Sequence, residues 1–304
     1  MTASLRALLY GTVDYAGLFP PASLALQPAL DNFAEYVRTP DAWMLGSFVL
    51  PLAKFDDLLA ALRGFDVEHR LQVSALGSKN ETATDFLTAL TRAGETMKNF
   101  GAQYGAFANV TQLEMPLATR PGAAISAAYE ALNGVNIPVF WEAPADEAER
   151  TILALAEHRS GTAGAQFGFK LRTGGVVPAA FPSSVQIARA LLAALQHDVP
   201  IKFTAGLHHP VRLFHGSVQT TMHGFLNVLG AGVLAAEHQW DLLQTVAMLD
   251  DEDSSHFVFT DDGFSWREWQ ISSDRIREHR KLVTSFGSCS FDEPRDDLRA
   301  LNLF

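Results

Sequence analysis

Two lysines interrupt short apolar segments about one βα unit apart: Lys170 in Phe167-Gly-Phe-Lys-Leu-Arg172, and Lys202 in Ile201-Lys-Phe-Thr204. Side chains alternate faces along a strand, so Phe167, Phe169 and Leu171 form one apolar set while Gln166, Gly168, Lys170 and Arg172 take the opposite face. The next segment repeats the pattern, with Ile201, Phe203 and Ala205 on one face and Lys202 and Thr204 on the other. Ammonium groups on neighbouring strands stand roughly 5 Å apart. Their repulsion, about 3 kcal/mol at an effective dielectric of about 20, lowers one lysine's pKa by about 2. A neutral amine of that kind attacks carbonyl carbons and forms Schiff bases.

Carboxylates fall into the same pattern. Val13 and Tyr15 flank an opposed Thr12 and Asp14, and Ile137, Val139 and Trp141 leave Glu142 on the other face. Gln72 and Ser74 oppose Leu71, Val73 and Ala75 in a further segment. A carboxylate beside a Schiff-base lysine can shuttle a substrate α-proton. Asp14 and Glu142 can equally pair with the lysines, which raises the ammonium pKa values and leaves buried ion pairs. Arg172, on the face of Lys170, suits a substrate carboxylate or an ion pair with Glu142. His208-His209-Pro210, followed by His215 and His223, invites a metal, but the spacings match no zinc motif and no metal is expected. His208 and His209 read better as groups at a barrel mouth that bind substrate oxygens or satisfy loop carbonyls. Gly174, Gly175 and Gly206 are consistent with close backbone approach to an anion, and equally with ordinary βα turns.

These residues need a scaffold that points several strands at one place. Apolar runs alternate with helical patterns roughly every thirty residues, the signature of βαβ units. Strands are expected at Leu9–Tyr15, Trp43–Leu50, Arg70–Leu76, Tyr104–Val110, Ile137–Glu142, Gln166–Arg172 and Pro200–Ala205, with an eighth at Gly224–Val228. Helices fall between them near Pro28–Val37, Phe55–Leu62, Glu81–Phe100, Ala123–Leu132, Asp146–Glu157, Ser183–Leu195 and Ala231–Trp240. The expected fold is a (β/α)8 TIM barrel over residues 1–250, with the polar groups near its C-terminal end, where such barrels carry their sites. Residues 251–304 form a C-terminal extension: a hairpin around Asp261-Asp262-Gly263, a polar helix over Ser272–Val283, and an irregular tail with a short final helix. The hairpin's aromatics are expected to pack on the barrel or on another subunit of a homo-oligomer. Phe286–Phe291 reads as a surface tail with a buried thiol, the other arrangement being a fold back over the barrel mouth that presents Ser288 or Cys289.

Composition narrows the partners. The chain has 304 residues, 48% hydrophobic and 19% charged, with a formal net charge of −11, so a large core is feasible. No compact run of Lys and Arg stands out, which argues against nucleic acid and anionic membrane. One cysteine excludes an internal disulfide framework. Without a spanning segment or a secretory pattern at Met1–Tyr10, a cytoplasmic location is expected.

Val139-Phe-Trp-Glu142, a helix, and then Phe167-Gly-Phe-Lys-Leu-Arg-Thr-Gly174 resemble the fifth and sixth strands of the deoxyribose-phosphate aldolase family of class I aldolases. The similarity runs in element order over roughly residues 10–235, and its motifs are short. It implies that Lys170 is the Schiff-base lysine and that Lys202, in Ile201-Lys-Phe-Thr-Ala-Gly206, lowers its pKa. Asp14, in Val13-Asp-Tyr-Ala-Gly-Leu18, would match the acid of the opening strand. Several positions depart from the family. Tyr104–Val110 holds no proton-relay acid, its nearest polar residue being Asn109. Gly175 stands where a phosphate-loop lysine is expected, Ala205 replaces one glycine of a pair, and Asn227-Val-Leu-Gly230 lacks the serine pair. These departures point to a small, unphosphorylated aldehyde or ketone and to carbon–carbon lyase chemistry without a cofactor. Lys170, Lys202, Asp14 and Glu142 would be catalytic. Arg172, Gly174, Gly175, Thr204, Gly206, His208, His209 and Asn227 would bind substrate. A metal-assisted lyase or hydrolase using His208, His209 and Glu142 is one alternative; a non-catalytic barrel that binds a small ligand is the other.

Overall fold

Short strands buried on both faces need helices outside and side chains filling the inside, which is the arrangement of a closed parallel barrel. The computed structural model describes residues 1–304 except 61, 81, 118–120, 133–134 and 160–165. The barrel strands are β1 (Val13–Tyr15), β2 (Leu45–Pro51), β3 (Leu71–Leu76), β4 (Ala108–Pro116), β5 (Val139–Glu142), β6 (Phe167–Arg172), β7 (Ile201–Thr204) and β8 (Val283–Ser288). They pair in parallel around a closed ring, with β8 between β7 and β1, as a (β/α)8 TIM barrel does.

Register sets the interior layers. Glu142, Lys170 and Lys202 are successive partners across β5, β6 and β7, and Phe140 pairs with Gly168 one layer below. A Cβ on Gly168 would lie 2.6 Å from the Phe140 ring and 2.8 Å from the Pro200 carbonyl oxygen, so the glycine makes room for that ring. Phe140 in turn lies 5.4 Å from the Lys202 Nζ (to the ring centroid) and helps to floor the charged layer.

The eighth strand is not where the apolar pattern puts it. Gly224–Val228 belongs to the helix Phe225–His238 and its cap, and β8 comes from the segment expected to be an irregular tail. That helix is buried along almost its whole length, so it shows no polar stripe and its sequence cannot distinguish it from a core strand. Phe225 stacks on Phe286 of β8 with ring centroids 5.1 Å apart. A Cβ on Gly232 would come within 2.7 Å of Val283, which fixes how closely helix and strand approach. The barrel therefore extends past residue 250, and the expected helix over Ser272–Val283 shortens to Ser273–His279 before β8.

Other elements differ from expectation as well. Where an α-helix is expected over Phe55–Leu62, the described residues form 3-10 turns at Asp56–Ala60 and Leu62–Gly64. The hairpin gains a third strand, giving an antiparallel sheet of Phe257–Phe259, Gly263–Trp266 and Trp269–Ser272. Its aromatics are satisfied within the chain: Trp266 and Trp269 pack on Trp240 at 5.6 and 5.4 Å, and Phe257, Phe264 and Trp266 are buried. The expected helix start at Glu81 lies outside the described residues; the helix is described over Ala83–Tyr104. Among the described residues no helix is long and apolar enough to cross a membrane.

Candidate active site

The C-terminal ends of the strands deliver five charged side chains to the barrel interior. Lys202, 1% exposed, donates to Asp14 Oδ2 at 2.7 Å and to Glu114 Oε1 at 2.6 Å. Lys170 reaches the other oxygen of the same carboxylate, Glu114 Oε2, at 2.6 Å, and Glu142 Oε2 at 2.8 Å. The order is Asp14, Lys202, Glu114, Lys170, Glu142: charges alternate, and each lysine sits between two acids. Arg172 extends the row loosely, with Nη1 3.9 Å from Glu142 Oε1.

A layer of uncharged donors holds the acids. Asp14 accepts the Ser47 N–H at 2.8 Å on Oδ1, and Gln112 Nε2 at 3.0 Å and Ser285 Oγ at 2.8 Å on Oδ2. Ser74 Oγ donates to Glu114 Oε1 at 2.5 Å. Carboxylates placed this way are held stiffly, because an alternative rotamer forfeits several charge-assisted bonds.

Sequence reasoning missed Glu114, and with it the electrostatics. β4 runs over Ala108–Pro116, not Tyr104–Val110, and its register against β3 shifts between the Val73–Val110 and Ser74–Gln112 pairs. The extra residue, Thr111, bonds to Ser47 Oγ at 2.7 Å and to the Val73 carbonyl at 3.0 Å. Past the bulge the strand alternates plainly, Gln112 and Glu114 inward against Leu113 and Met115. The absence of an acid from the fourth strand, expected from its first residues, is thereby overturned.

With a carboxylate between the lysines, mutual repulsion no longer decides the state of Lys170. Burial would lower the Lys170 pKa, but contact with Glu114 and Glu142 outweighs it and holds the ammonium above the usual lysine value. Burial pushes Glu114 up, and Lys170 and Lys202 outweigh that, holding it far below the usual carboxylate range. The expectation of a depressed lysine pKa is corrected: in the resting site Lys170 is charged.

A cavity of about 350 Å³ opens above this row, lined by Lys170, Glu142, Arg172, Thr204, Gly175, Gly206 and His208 among others. Phe19, Pro20 and Pro21 of the loop after β1 line it too, as does Cys289 beyond β8. Lys202 and Asp14 do not reach it. Cys289 is thus no surface-tail residue; it lies 8% exposed with Sγ 3.9 Å from His208 Nδ1.

The remaining expected binders separate into two groups. Gly206, at φ +77°, and Gly174 pack against each other: a Cβ on Gly206 would lie 2.8 Å from the Gly174 Cα, so what these glycines approach is neighbouring backbone. Gly174 is not among the cavity-lining residues, whereas Gly175 and Gly206 are. His209 leaves the cavity and pairs with Asp297 at 2.6 Å on the final helix, Asp292–Ala300. Asn227, fully buried, donates to the carbonyls of Met248 and Asp251 and accepts the Arg212 N–H, tying a helix to its loops rather than meeting substrate. His208 Nδ1 donates to Glu293 Oε2 at 3.0 Å. Burial would lower the His208 pKa, but Cys289 and Glu293 push it up to about 9. Among the described residues no three His, Cys, Asp or Glu side chains converge as a metal-ligand set.

Comparison of the chain with known protein families, with curated proteins and with solved structures returns no match. What defines the molecule is therefore its own fold and site: a (β/α)8 barrel with a lysine–carboxylate row beneath a cavity at the C-terminal ends of the strands.

Proposed function

We propose that the chain is a carbon–carbon lyase of the class I aldolase type, in which Lys170 forms a Schiff base with a small, unphosphorylated aldehyde or ketone. One observation carries the reading. Of the two lysines buried in the barrel, Lys170 lines the cavity, and its Nζ touches an acid that lines it as well. Layers of a barrel core built for stability alone are filled by branched aliphatic residues, and removing five charges from water is costly.

Lys170 first passes a proton to Glu142, and the free amine adds to the carbonyl carbon. Glu142 returns the proton as the oxygen departs in water, so ammonium and carbonyl give an iminium and one water with no net proton change. In the cleavage direction Glu142 takes the proton of the β-hydroxyl, the Cα–Cβ bond breaks, and its electron pair moves into an enamine on Nζ. The aldehyde leaves, Glu142 protonates the enamine carbon, and water releases the second product. Lys202 and Asp14 act as positioning residues: Lys202 fixes Glu114, which holds Lys170 from below.

A barrel that binds a small ligand without turnover is the second reading, favoured by the completeness of the ion pairs around Lys170. Borohydride reduction with a panel of aldehydes and ketones separates the two. A mass increment on the peptide bearing Lys170, lost in Lys170→Ala, supports the lyase. No increment with any carbonyl compound transfers the conclusion to the ligand-binding barrel.

A further inference from the structure

The cavity wall carries two cations besides the reacting lysine, and they are partnered differently. His208 has its counter-charge behind it in Glu293, at 3.0 Å. Arg172 gives its Nε–H to the Gly174 carbonyl at 3.1 Å and holds only the 3.9 Å contact from Nη1 to Glu142; among the described residues its Nη2 has no partner. A guanidinium fork with free donors, facing a cavity, is built for a bidentate anion.

Charge balance during the reaction sharpens this. Glu142 is shared, one oxygen on Lys170 and the other toward Arg172. When Glu142 takes the Lys170 proton it becomes neutral, and Arg172 loses its counter-ion in a partly enclosed space. An incoming carboxylate restores it. Because Lys170 sits on one oxygen of Glu142 and the Arg172 guanidinium lies 3.9 Å from the other, a short molecule can bridge the two cations, with its carbonyl on Nζ and its anionic end on the guanidinium. On a chain of net charge −11, such a ligand is favoured only where cations gather.

We infer that the substrate is a short-chain oxo acid, whose carboxylate is bound by Arg172 with His208 as the second cation of the wall. This rests on the Schiff-base reading, and the test keeps the two apart. Pyruvate and its neutral ester methyl pyruvate are trapped with borohydride on wild type and on Arg172→Gln. Arg172 is half-exposed, so the substitution leaves the core intact. Binding of oxamate, a pyruvate mimic without a reactive ketone, is measured by calorimetry on both proteins. The expected result is that the preference for pyruvate over methyl pyruvate falls about 10- to 100-fold in the variant, the value of a charge-assisted bond, and that oxamate binding weakens by a similar factor. An unchanged preference, or oxamate that binds the variant as well as wild type or binds neither, overturns the oxo-acid inference while leaving Lys170 trapping in place. If no carbonyl compound traps on wild type, the Schiff-base reading fails, and oxamate binding still decides whether Arg172 is an anion receptor.

Discussion

Lys170 and Lys202 occupy the same register level on adjacent strands and grip the two oxygens of one carboxylate, yet their surroundings differ. Lys202 is walled in by Asp14, Glu114 and the Phe140 ring. Lys170 faces the cavity, and its second acid, Glu142, is 22% exposed where Asp14 is 3% exposed. Access separates the two lysines, and it divides the row into a reacting half and a holding half.

That division can be broken most directly at Lys170. Lys170→Met is expected to abolish borohydride trapping completely while the protein stays folded, since Glu114 keeps Lys202 and Glu142 keeps water. Peptide mass analysis and circular dichroism read the two effects. The largest effect on stability belongs to the other lysine. Lys202→Met leaves Asp14 and Glu114 buried without their shared cation, at a cost of about 3–5 kcal/mol in urea unfolding, and more than Lys170→Met costs. Equal losses would erase the distinction between the halves.

Glu114→Gln tests the bridge. Glu114 and Glu142 hold the Lys170 pKa above its ordinary value, so giving up the proton is uphill at neutral pH and the trapping rate climbs with pH. Without Glu114 the climb should start at lower pH. The same substitution alters acid stability. A carboxyl whose folded pKa is depressed contributes stability above its unfolded value of 4.5, lost as pH falls toward the folded value. The variant should therefore lose less stability than wild type on acidification below that point.

A smaller effect is expected at His208. Its pKa rises from 6.5 to about 9, so its contribution is fully present below pH 6.5 and fades as pH climbs through 9. Melting temperatures of His208→Asn should be flatter over that window than those of wild type. His209→Asn is the smallest change: it should leave trapping untouched and alter stability by about 1 kcal/mol or less, because the pair with Asp297 is partly solvated.

The sequence alone determined the barrel class, the inward lysines and two of the three acids, because strand alternation forces the face of each residue wherever the ladder is regular. Asp14, Glu142, Lys170 and Lys202 all sit on strands whose parity reads without interruption. Only the tertiary structure decided the rest. A bulge at Thr111 restarted the alternation that carries Glu114, and a helix enclosed on all sides read like a strand, while the true closing strand, Val-Thr-Ser-Phe-Gly-Ser, was too polar to stand out. Burial and register are properties of the neighbours an element meets, and those neighbours lie far away along the chain.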